Sequence, residues 1–552
     1  MAQGDYQAWL NHPGMPGELL AELRAMTEEQ RSDSFYRDLA FGTGGLRGVI
    51  GAGTNRMNFY TVAKATRGLG RYLKETFDAP QVAVSYDSRI HSTDFAELTA
   101  ATLAEMGIRV HIYRQLMPTP MLSYAVRHLG CQAGVMITAS HNPAKFNGYK
   151  VYGPDGCQIT LEAAERITGF IAQEETLTPR LADFAAQLKA GLVSYITEET
   201  IESYYQRIAT LQVCPCDEPL RVVYSPLNGT GNVPVREMLR RLGNYQVDVV
   251  PEQELPDGHF PTAPYPNPEI REAMQLAIRR TLESGADLCF ATDPDCDRIG
   301  AGVREGDDVT LISGNDMGVL LLDYICSHHA ASAGALPPVA VKTIVTTEMA
   351  VPVAKKYGVE LRNVLTGFKF IGEQIGLLEA AGQEERYLFG FEESYGYLSS
   401  TFVRDKDAVN AAVLVCELAA NLKKQGLTLL DRLAQLRGEF GFYAQRLLNF
   451  AYEGETGANR MQEIMRALRQ PLDAYPQAEL KTASRIDYLH DDTGLPASDV
   501  LSFTLADGRK IIVRPSGTEP KLKAYLFASG ADQSAAERSL DGLETLVRAY
   551  CE

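Results

Sequence analysis

The chain has 552 residues, and 53 Lys and Arg against 70 Asp and Glu give it a net charge of −17. At about 150 residues per domain the length implies three or four domains. A composition that is 45% hydrophobic and 22% charged belongs to a globular chain with large cores and excludes disorder as the main state. The acidic balance excludes a general binder of nucleic acid or anionic membrane, which needs a basic footprint; it does not exclude a small anionic substrate met by a few local cations.

In chain order, the opening MAQGDYQAWLNHPG lacks a basic stretch followed by an apolar run, so no secretory signal is expected. No segment approaches the ~18 apolar residues of a membrane span. The most apolar windows, 319–326 and 411–420, carry Asp323 and Glu417 and read as buried helices. A strand is predicted at 81–86, a helix at 92–106, a strand at 109–113, a helix at 121–128 and a strand at 133–137. That third strand empties into Thr138-Ala139-Ser140-His141-Asn142-Pro143. The order recurs with strands at 221–224, 246–250 and 287–291 and helices at 233–242 and 269–283; the third strand empties into Asp293-Pro294-Asp295-Cys296-Asp297-Arg298. It recurs again with strands at 339–345, 359–365 and 387–389 and helices at 348–357 and 370–381, emptying into Gly390-Phe391-Glu392-Glu393-Ser394. From about Gly441 the rhythm changes. Strands at 500–505 and 510–513 flank Ala506-Asp507-Gly508-Arg509, a hairpin signal; a strand at 521–527 and an amphipathic helix at 534–549 follow. The expected fold is α/β: three similar α/β domains, 1–204, 205–314 and 315–440, plus a C-terminal α+β domain, 441–552, around a central cleft. Ligands of open α/β sheets sit outside the carboxyl ends of strands, so the three polar loops are candidates for one site.

The loops carry distinct chemistry. Gly42-Thr43-Gly44-Gly45-Leu46-Arg47-Gly48 fails the dinucleotide pattern, since Arg47 stands at its sixth position; it reads as flexible backbone presenting Arg47. Ser140 is the candidate nucleophile, a hydroxyl that needs activation, with His141 beside it as hydrogen-bond donor, proton shuttle or local cap. No G-x-S-x-G elbow surrounds it, which disfavours acyl transfer. Asn147-Gly148 is a hairpin-turn pair, expected to fold Lys150 back beside Ser140. Asp293, Asp295 and Asp297 alternate on a loop read as extended, which would turn three carboxylates to one side. They suit a hard cation such as Mg²⁺; Arg298 and Arg304 stand where an EF-hand needs Gly and Glu. Arg514-Pro515-Ser516-Gly517-Thr518 combines a cationic fork, two hydroxyls and an approachable backbone amide, a set suited to phosphate oxygens. Together with the Glu-x-Ser pair of Glu392 and Ser394, this is equipment for phosphoryl transfer. Nine scattered cysteines, with one C-x-C pair at Cys214 and Cys216 and no second pair at zinc spacing, fit reduced thiols in a cytoplasm.

Four motifs in order, TASHNP (138–143), DPDCDR (293–298), FEES (391–394) and RPSGTEP (514–520), resemble those of the α-D-phosphohexomutase superfamily, within it the longer phosphoglucomutase branch that includes phosphopentomutases. The resemblance spans nearly the whole chain. It implies a phosphoserine at Ser140, Mg²⁺ held by Asp293, Asp295, Asp297 and the Ser140 phosphate, and sugar hydroxyls on Glu392 and Ser394. It places the non-reacting phosphate on Arg514, Ser516, Gly517 and Thr518. Arg47, His141, Lys150 and Arg298 would line the transfer site. Thr366, Gly367 and Lys369 resemble a second sugar loop, and Lys406 a cleft lysine of the glucose-type enzymes. The implied activity is the reversible interconversion of glucose 1-phosphate and glucose 6-phosphate through a phosphoserine enzyme and glucose 1,6-bisphosphate, with mannose or pentose phosphates as alternatives. Small sugar phosphates are the expected partners, and monomer and homodimer both stay open. The chain departs from the pattern at Pro294 and Cys296, where many members have glycines, and at Tyr395-Gly396, where phosphomannomutase-type members have Gly-His. An Asp-nucleophile phosphatase reading of Asp293-x-Asp295 fails at Asp297, where Thr or Val is usual.

Overall fold

The computed structural model describes residues 2–42, 44–329, 336–452, 454–470, 482–491, 493–515 and 521–551. Its first sheet has seven strands, ordered Phe41–Gly42, Gly45–Val49, Phe146–Tyr152, Ala133–Ile137, Gln81–Tyr86, Arg109–Ile112 and Val193–Tyr195. The second is ordered Asp308–Ile312, Ile299–Glu305, Leu288–Thr292, Leu220–Ser225 and Tyr245–Val249, and the third Glu360–Val364, Val339–Thr343, Tyr387–Glu392 and Gly396–Leu398. In each, the first strand of the repeat lies between the second and the third, all three parallel. Fully buried Ala133–Ile137 and Leu288–Thr292 are continuous apolar runs apart from Thr292, as strands covered on both faces must be.

The sequence pattern stopped at the third strand. The structure adds an antiparallel fourth: Phe146–Tyr152 returns against Ala133–Ile137, Ile299–Glu305 against Leu288–Thr292, and Gly396–Leu398 against Tyr387–Glu392. Each chemical loop is therefore the tight connection between a parallel strand and its antiparallel neighbour, pinned at both ends by a ladder. The Asn147-Gly148 turn is corrected by the same finding: both residues lie inside strand Phe146–Tyr152. Gly148 is required because a Cβ would stand 2.4 Å from the Thr138 carbonyl oxygen, and the buried Asn147 amide donates to the Ile90 carbonyl and Ser92 Oγ, each at 3.0 Å. Arg47 likewise is not on flexible backbone but in strand Gly45–Val49, opposite Gly148.

The fourth sheet is antiparallel, ordered Phe442–Ala451, Lys521–Gly530, Lys510–Pro515, Leu501–Leu505 and Thr482–Asp487. The expected hairpin at 506–509 forms, with Leu505 N–H donating to the Arg509 carbonyl at 2.8 Å and Gly508 at φ 87. The apolar windows become helices Gly314–His328 and Ala408–Lys424, the second buried over almost its whole length. Three helices near the amino end, Ala2–Leu10, Gly17–Ala25 and Glu28–Phe35, were not read from the sequence; they pack Tyr6, Trp9, Leu23 and Phe35 against Ala52 and Tyr60. The expected division at 204/205 falls within helix Glu198–Ala209.

Arg404-Asp405-Lys406-Asp407, just ahead of helix Ala408–Lys424, is a buried ionic hub. Arg404 Nη2 donates to Glu379 Oε2 at 2.7 Å, whose other oxygen accepts from Arg127 at 2.8 Å. Asp405 accepts from Tyr152 at 2.9 Å and Gln158 at 3.2 Å; Asp407 caps the helix and accepts from Tyr204 at 3.0 Å. Lys406 reaches Asp297 Oδ2 at 3.2 Å. Four consecutive residues thus tie the three α/β units together, with Arg404, Asp405 and Lys406 in ion pairs and Asp407 held by hydrogen bonds alone. The fourth unit attaches through an apolar patch, Ile344, Val345 and Leu365 against Val500, Ile512, Tyr525 and Phe527, with Lys510 on Glu348 at 3.1 Å.

Candidate active site

The site grows from two tight turns that face each other. Ser140 lies at φ 52, a left-handed conformation that costs a non-glycine residue about 1–3 kcal/mol. It is held there by its own N–H donating to Thr138 Oγ1 at 2.8 Å. Its hydroxyl donates to Asp293 Oδ2 at 2.7 Å and lies 3.1 Å from His141 Nδ1. Burial, then the positive charges of Arg298 and Arg47, holds His141 well below the usual imidazole range, so the ring is neutral near pH 7. Arg47 crosses above, Nη1 donating to Asn142 Oδ1 at 3.2 Å.

The facing turn carries the three aspartates. It is not extended: Cys296 stands at φ 53, its N–H donating to the Asp293 carbonyl at 2.8 Å. Asp293 Oδ1 accepts from the backbone N–H groups of Asp297 and Arg298 at 3.1 and 3.0 Å. The turn, rather than strand alternation, gathers the carboxylates, which all lie buried with ligand oxygens within 4.8 Å of one another. Lys150 Nζ donates to Asp295 Oδ2 at 2.7 Å and sits 3.5 Å from Asp297 Oδ2, which Lys406 also approaches. Burial alone raises a carboxyl pKa; at Asp295 the ammonium of Lys150 reverses this and holds the group below the usual range, while Asp293, flanked by Asp295 and Asp297, is pushed well up. Asp295 Oδ1 and Asp297 Oδ1 are buried without a hydrogen-bond partner. Three convergent carboxylates with two such oxygens fit a hard divalent cation.

The remaining loops close around these turns. Glu392 Oε1 accepts from the Gly367 N–H at 3.0 Å, joining the two expected sugar loops. Burial, partly offset by Lys406 and reinforced by Glu393, pushes Glu392 up to about 7. Lys406 passes over Gly396, where a Cβ would stand 2.1 Å from Lys406 Cδ; this is the physical reason for glycine after Tyr395. Arg298 Nη1 donates to Glu269 Oε1 at 2.7 Å, and its field reaches Glu392. Ser394 belongs to the turn before Gly396–Leu398, and Thr366 Oγ1 is buried without a partner. Lys369 Nζ lies 5.1 Å from the Phe370 ring centroid, and Glu373 is the acidic group that acts on it; those contacts do not reach the aspartates. Arg514 lies one residue before the end of strand Lys510–Pro515, close enough to act on Glu393, its Nε buried and without a hydrogen-bond partner. Ser516, Gly517 and Thr518 lie outside the described residues.

Family models for phosphoglucomutase/phosphomannomutase match four consecutive stretches: alpha/beta/alpha domain I over 38–178, II over 202–306, III over 313–436 and the C-terminal domain over 452–541. A Staphylococcus aureus phosphoglucomutase is 36% identical over 515 residues, 90% of this chain and 92% of that protein. The chain belongs to the phosphoglucomutase/phosphomannomutase family. Through it the chain is a member of the α-D-phosphohexomutase superfamily. Two solved structures share the fold: the exocytosis-sensitive phosphoprotein parafusin, a Paramecium phosphoglucomutase in its open form (TM-score 0.69, 19% identity, 92% of this chain and 95% of that one), and Aspergillus fumigatus N-acetylphosphoglucosamine mutase with GlcNAc-6P and magnesium (TM-score 0.51, 15% identity, 94% and 97%).

Within this family member, several residues around the site went unread. Thr119 donates through N–H to the Asp295 carbonyl at 3.0 Å and through Oγ1 to Asp295 Oδ2 at 3.1 Å. The 226–231 loop braces Pro294, with Gly229 too close for a Cβ and Thr230 N–H on the Pro294 carbonyl at 2.8 Å. Asp87 and Arg89 follow the first strand of the first repeat. The usable signal is positional: the loops after the first strands of the repeats also lie at the carboxyl edge of the sheet.

Proposed function

We propose that this chain is a phosphoglucomutase that interconverts α-D-glucose 1-phosphate and glucose 6-phosphate, with Ser140 as the phosphoryl carrier and glucose 1,6-bisphosphate as the intermediate. The single observation that carries this reading is the Ser140 hydroxyl, 2.7 Å from Asp293 in a buried three-aspartate cage contributed by a different unit. Ser140 takes and returns the phosphoryl group, and neutral His141 holds or moves the hydroxyl proton at Oγ. Arg47, Lys150 and Arg298 neutralise phosphoryl charge; Thr366, Gly367, Lys369, Glu392, Ser394 and Lys406 hold the sugar. Arg514, with Ser516, Gly517 and Thr518, holds the phosphate that is not reacting. Asp293, Asp295, Asp297 and the Ser140 oxygen would hold Mg²⁺, which when bound stabilises charge on the transferring phosphoryl group; the magnesium of the Aspergillus relative supports that choice. Closing the cleft around the sugar keeps water from the phosphoserine.

The glucose preference rests on Tyr395-Gly396, because glycine there makes room for Lys406 in the cleft. No helix among the described residues is long and apolar enough to cross a membrane. All nine cysteines are free, which supports a cytoplasmic setting. The test is a panel of glucose, mannose, pentose and glucosamine 1-phosphates with added glucose 1,6-bisphosphate. The highest kcat/KM is expected on glucose 1-phosphate, and Ser140→Ala is expected to lose activity by at least about 10³-fold. Full mutase activity in Ser140→Ala sinks the mechanism, and a higher kcat/KM on another sugar phosphate sinks the assignment to glucose.

A further inference from the structure

Arg89 is the most heavily engaged buried cation near the site that the mechanism does not use. It sits in the loop after strand Gln81–Tyr86, at the carboxyl edge of the first sheet, and its side chain is fully buried. Nη2 donates to the carbonyls of Ser140 and of Asn142, and Nη1 to the carbonyls of Pro143 at 3.0 Å and Phe146 at 3.1 Å. One guanidinium therefore gathers four carbonyls of the 140–146 turn. Its Nε lies 3.3 Å from Asp87 Oδ2, and Asp87 Oδ1 accepts from the Arg89 N–H at 2.9 Å and from Ser92 Oγ at 2.7 Å. Asp87 thus neutralises the base of the guanidinium as an ion pair, with no hydrogen bond between Nε and Oδ2, and both outer nitrogens serve the Ser140 turn.

The face of the same group points to the other half of the site. The Phe260 ring centroid lies 5.0 Å from Arg89 Cζ, within cation–π range. Phe260 is buried and held at φ 47. Two residues before it, a Cβ on Gly258 would meet Ile90 N at 2.5 Å and the Ser88 carbonyl oxygen at 2.7 Å, so the 258–260 backbone lies directly on the Arg89 loop. Phe260 belongs to the second unit, the one that carries Asp293, Asp295 and Asp297. Arg89 thus has its edge on the Ser140 turn and its face on the metal-bearing unit.

We propose that Arg89 is a positioning residue that holds the Ser140 turn in its left-handed conformation and sets its distance from the three-aspartate turn, acting through the four carbonyls and through Phe260. Lysine cannot replace it, because a single ammonium offers neither the planar fork that spans four carbonyls nor the flat face that rests on Phe260. This role rests on the reading of Ser140 as phosphoryl carrier. It says that Arg89 touches no substrate, so its loss disturbs transfer geometry and not sugar binding.

The test uses the full chain with Arg89→Lys and, as the milder change, Phe260→Leu, which keeps an apolar side chain and removes the ring face. Each protein is incubated with glucose 1,6-bisphosphate and Mg²⁺, and phosphate on Ser140 is read by intact-protein and peptide mass spectrometry. Then kcat, KM for glucose 1-phosphate and the half-saturating Mg²⁺ concentration are measured. Since a displacement of about 1 Å at the reacting atoms costs about 10²-fold, Arg89→Lys is expected to lose about 10²-fold in kcat and Phe260→Leu about 10-fold, with KM within about threefold of wild type. Phosphate on Ser140 is expected to fall and half-saturating Mg²⁺ to rise in both, changes that mere loss of stability does not produce in folded protein. Turnover within about threefold of wild type in either folded variant, or a loss carried wholly by KM, overturns the role; if Arg89→Lys does not fold, Phe260→Leu decides. A wild type that takes no phosphate on Ser140 overturns the functional reading itself, whereas an active, phosphorylated wild type beside unaffected variants overturns only the role of Arg89.

Discussion

Replacing Lys406 by methionine separates the two jobs its ammonium does. Nζ lies 3.2 Å from Asp297 Oδ2 and 3.1 Å from Asp405 Oδ1, and all three groups are buried. Burial alone would lower the lysine pKa, but Asp297 and Asp405 keep it above its ordinary range and charged. Methionine retains the stem that passes Gly396 and loses the ammonium, which also lies 5.4 Å from the Phe368 ring centroid, so the change is mainly one of charge. Two buried carboxylates then lose a shared countercharge, which costs about 3–5 kcal/mol. For a cooperative unit of about 150–250 residues, each kcal/mol moves the thermal midpoint by about 2–4 °C, so a fall of about 6–20 °C is expected without divalent cation. The metal affinity moves the other way. A unit positive charge about 4 Å from a bound divalent cation opposes it by about 8 kcal/mol at an effective dielectric constant of about 20; one sixth of that is about tenfold in Kd. Lys406→Met is therefore expected to bind Mg²⁺ at least about tenfold more tightly than wild type and to regain more stability on adding it. Calorimetric titration and thermal unfolding over a Mg²⁺ series measure both. An unchanged or weaker Mg²⁺ affinity, with the same midpoint difference at every Mg²⁺ concentration, would show that lysine and cation do not share the aspartate cage.

Two further outcomes follow from the sugar loop. The folded-state pKa of Glu392, about 7, lies above its ordinary 4.5, so the folded chain binds this proton more tightly than the unfolded chain. Its contribution to stability is then fully present below pH 4.5 and is lost as pH rises through about 7, while the carboxylate proposed to accept sugar hydroxyls fills in over the same window. Wild-type kcat/KM is expected to rise through pH about 7, and Glu392→Gln to lose that limb; an identical limb in the variant refutes the assignment. Gly396→Ala places a Cβ 2.1 Å from Lys406 Cδ, and such overpacking costs about 1–3 kcal/mol. It is expected to displace Lys406, lower turnover at least about tenfold and lower the thermal midpoint, as steady-state kinetics and unfolding would show; unchanged values for both would mean the stem can move aside freely.

The net charge of −17 and the anionic substrate are reconciled locally. Lys150 and Lys406 stand at the aspartates, and Arg47 and Arg298 act on His141 beside Ser140. Because charge is screened within about 8–10 Å at ordinary ionic strength, these near cations outweigh distant surface carboxylates.

By itself the sequence determined the repeat and the chemistry. Apolar runs ending in polar loops marked three α/β units, since strands covered on both faces must be apolar and the loops at their carboxyl ends are free to carry function. Ser140 and the three aspartates were legible because they stand in such loops, Glu392 because it closes the third such strand, and Arg514 because its strand runs into a stretch of hydroxyls and glycine. What only the tertiary structure decided is how those loops are held. The antiparallel fourth strands turned each loop into a pinned connection and moved Asn147-Gly148 from a turn into a strand. The backbone of Asp293–Arg298 proved to be a tight turn closed by its own N–H groups. Arg89, Thr119, Glu269 and Gly396 gain their meaning from partners 57, 176, 29 and 10 residues away in the chain. Local propensity carries no record of such pairings; they appear only when packing brings a guanidinium under four carbonyls or a lysine stem across a missing Cβ.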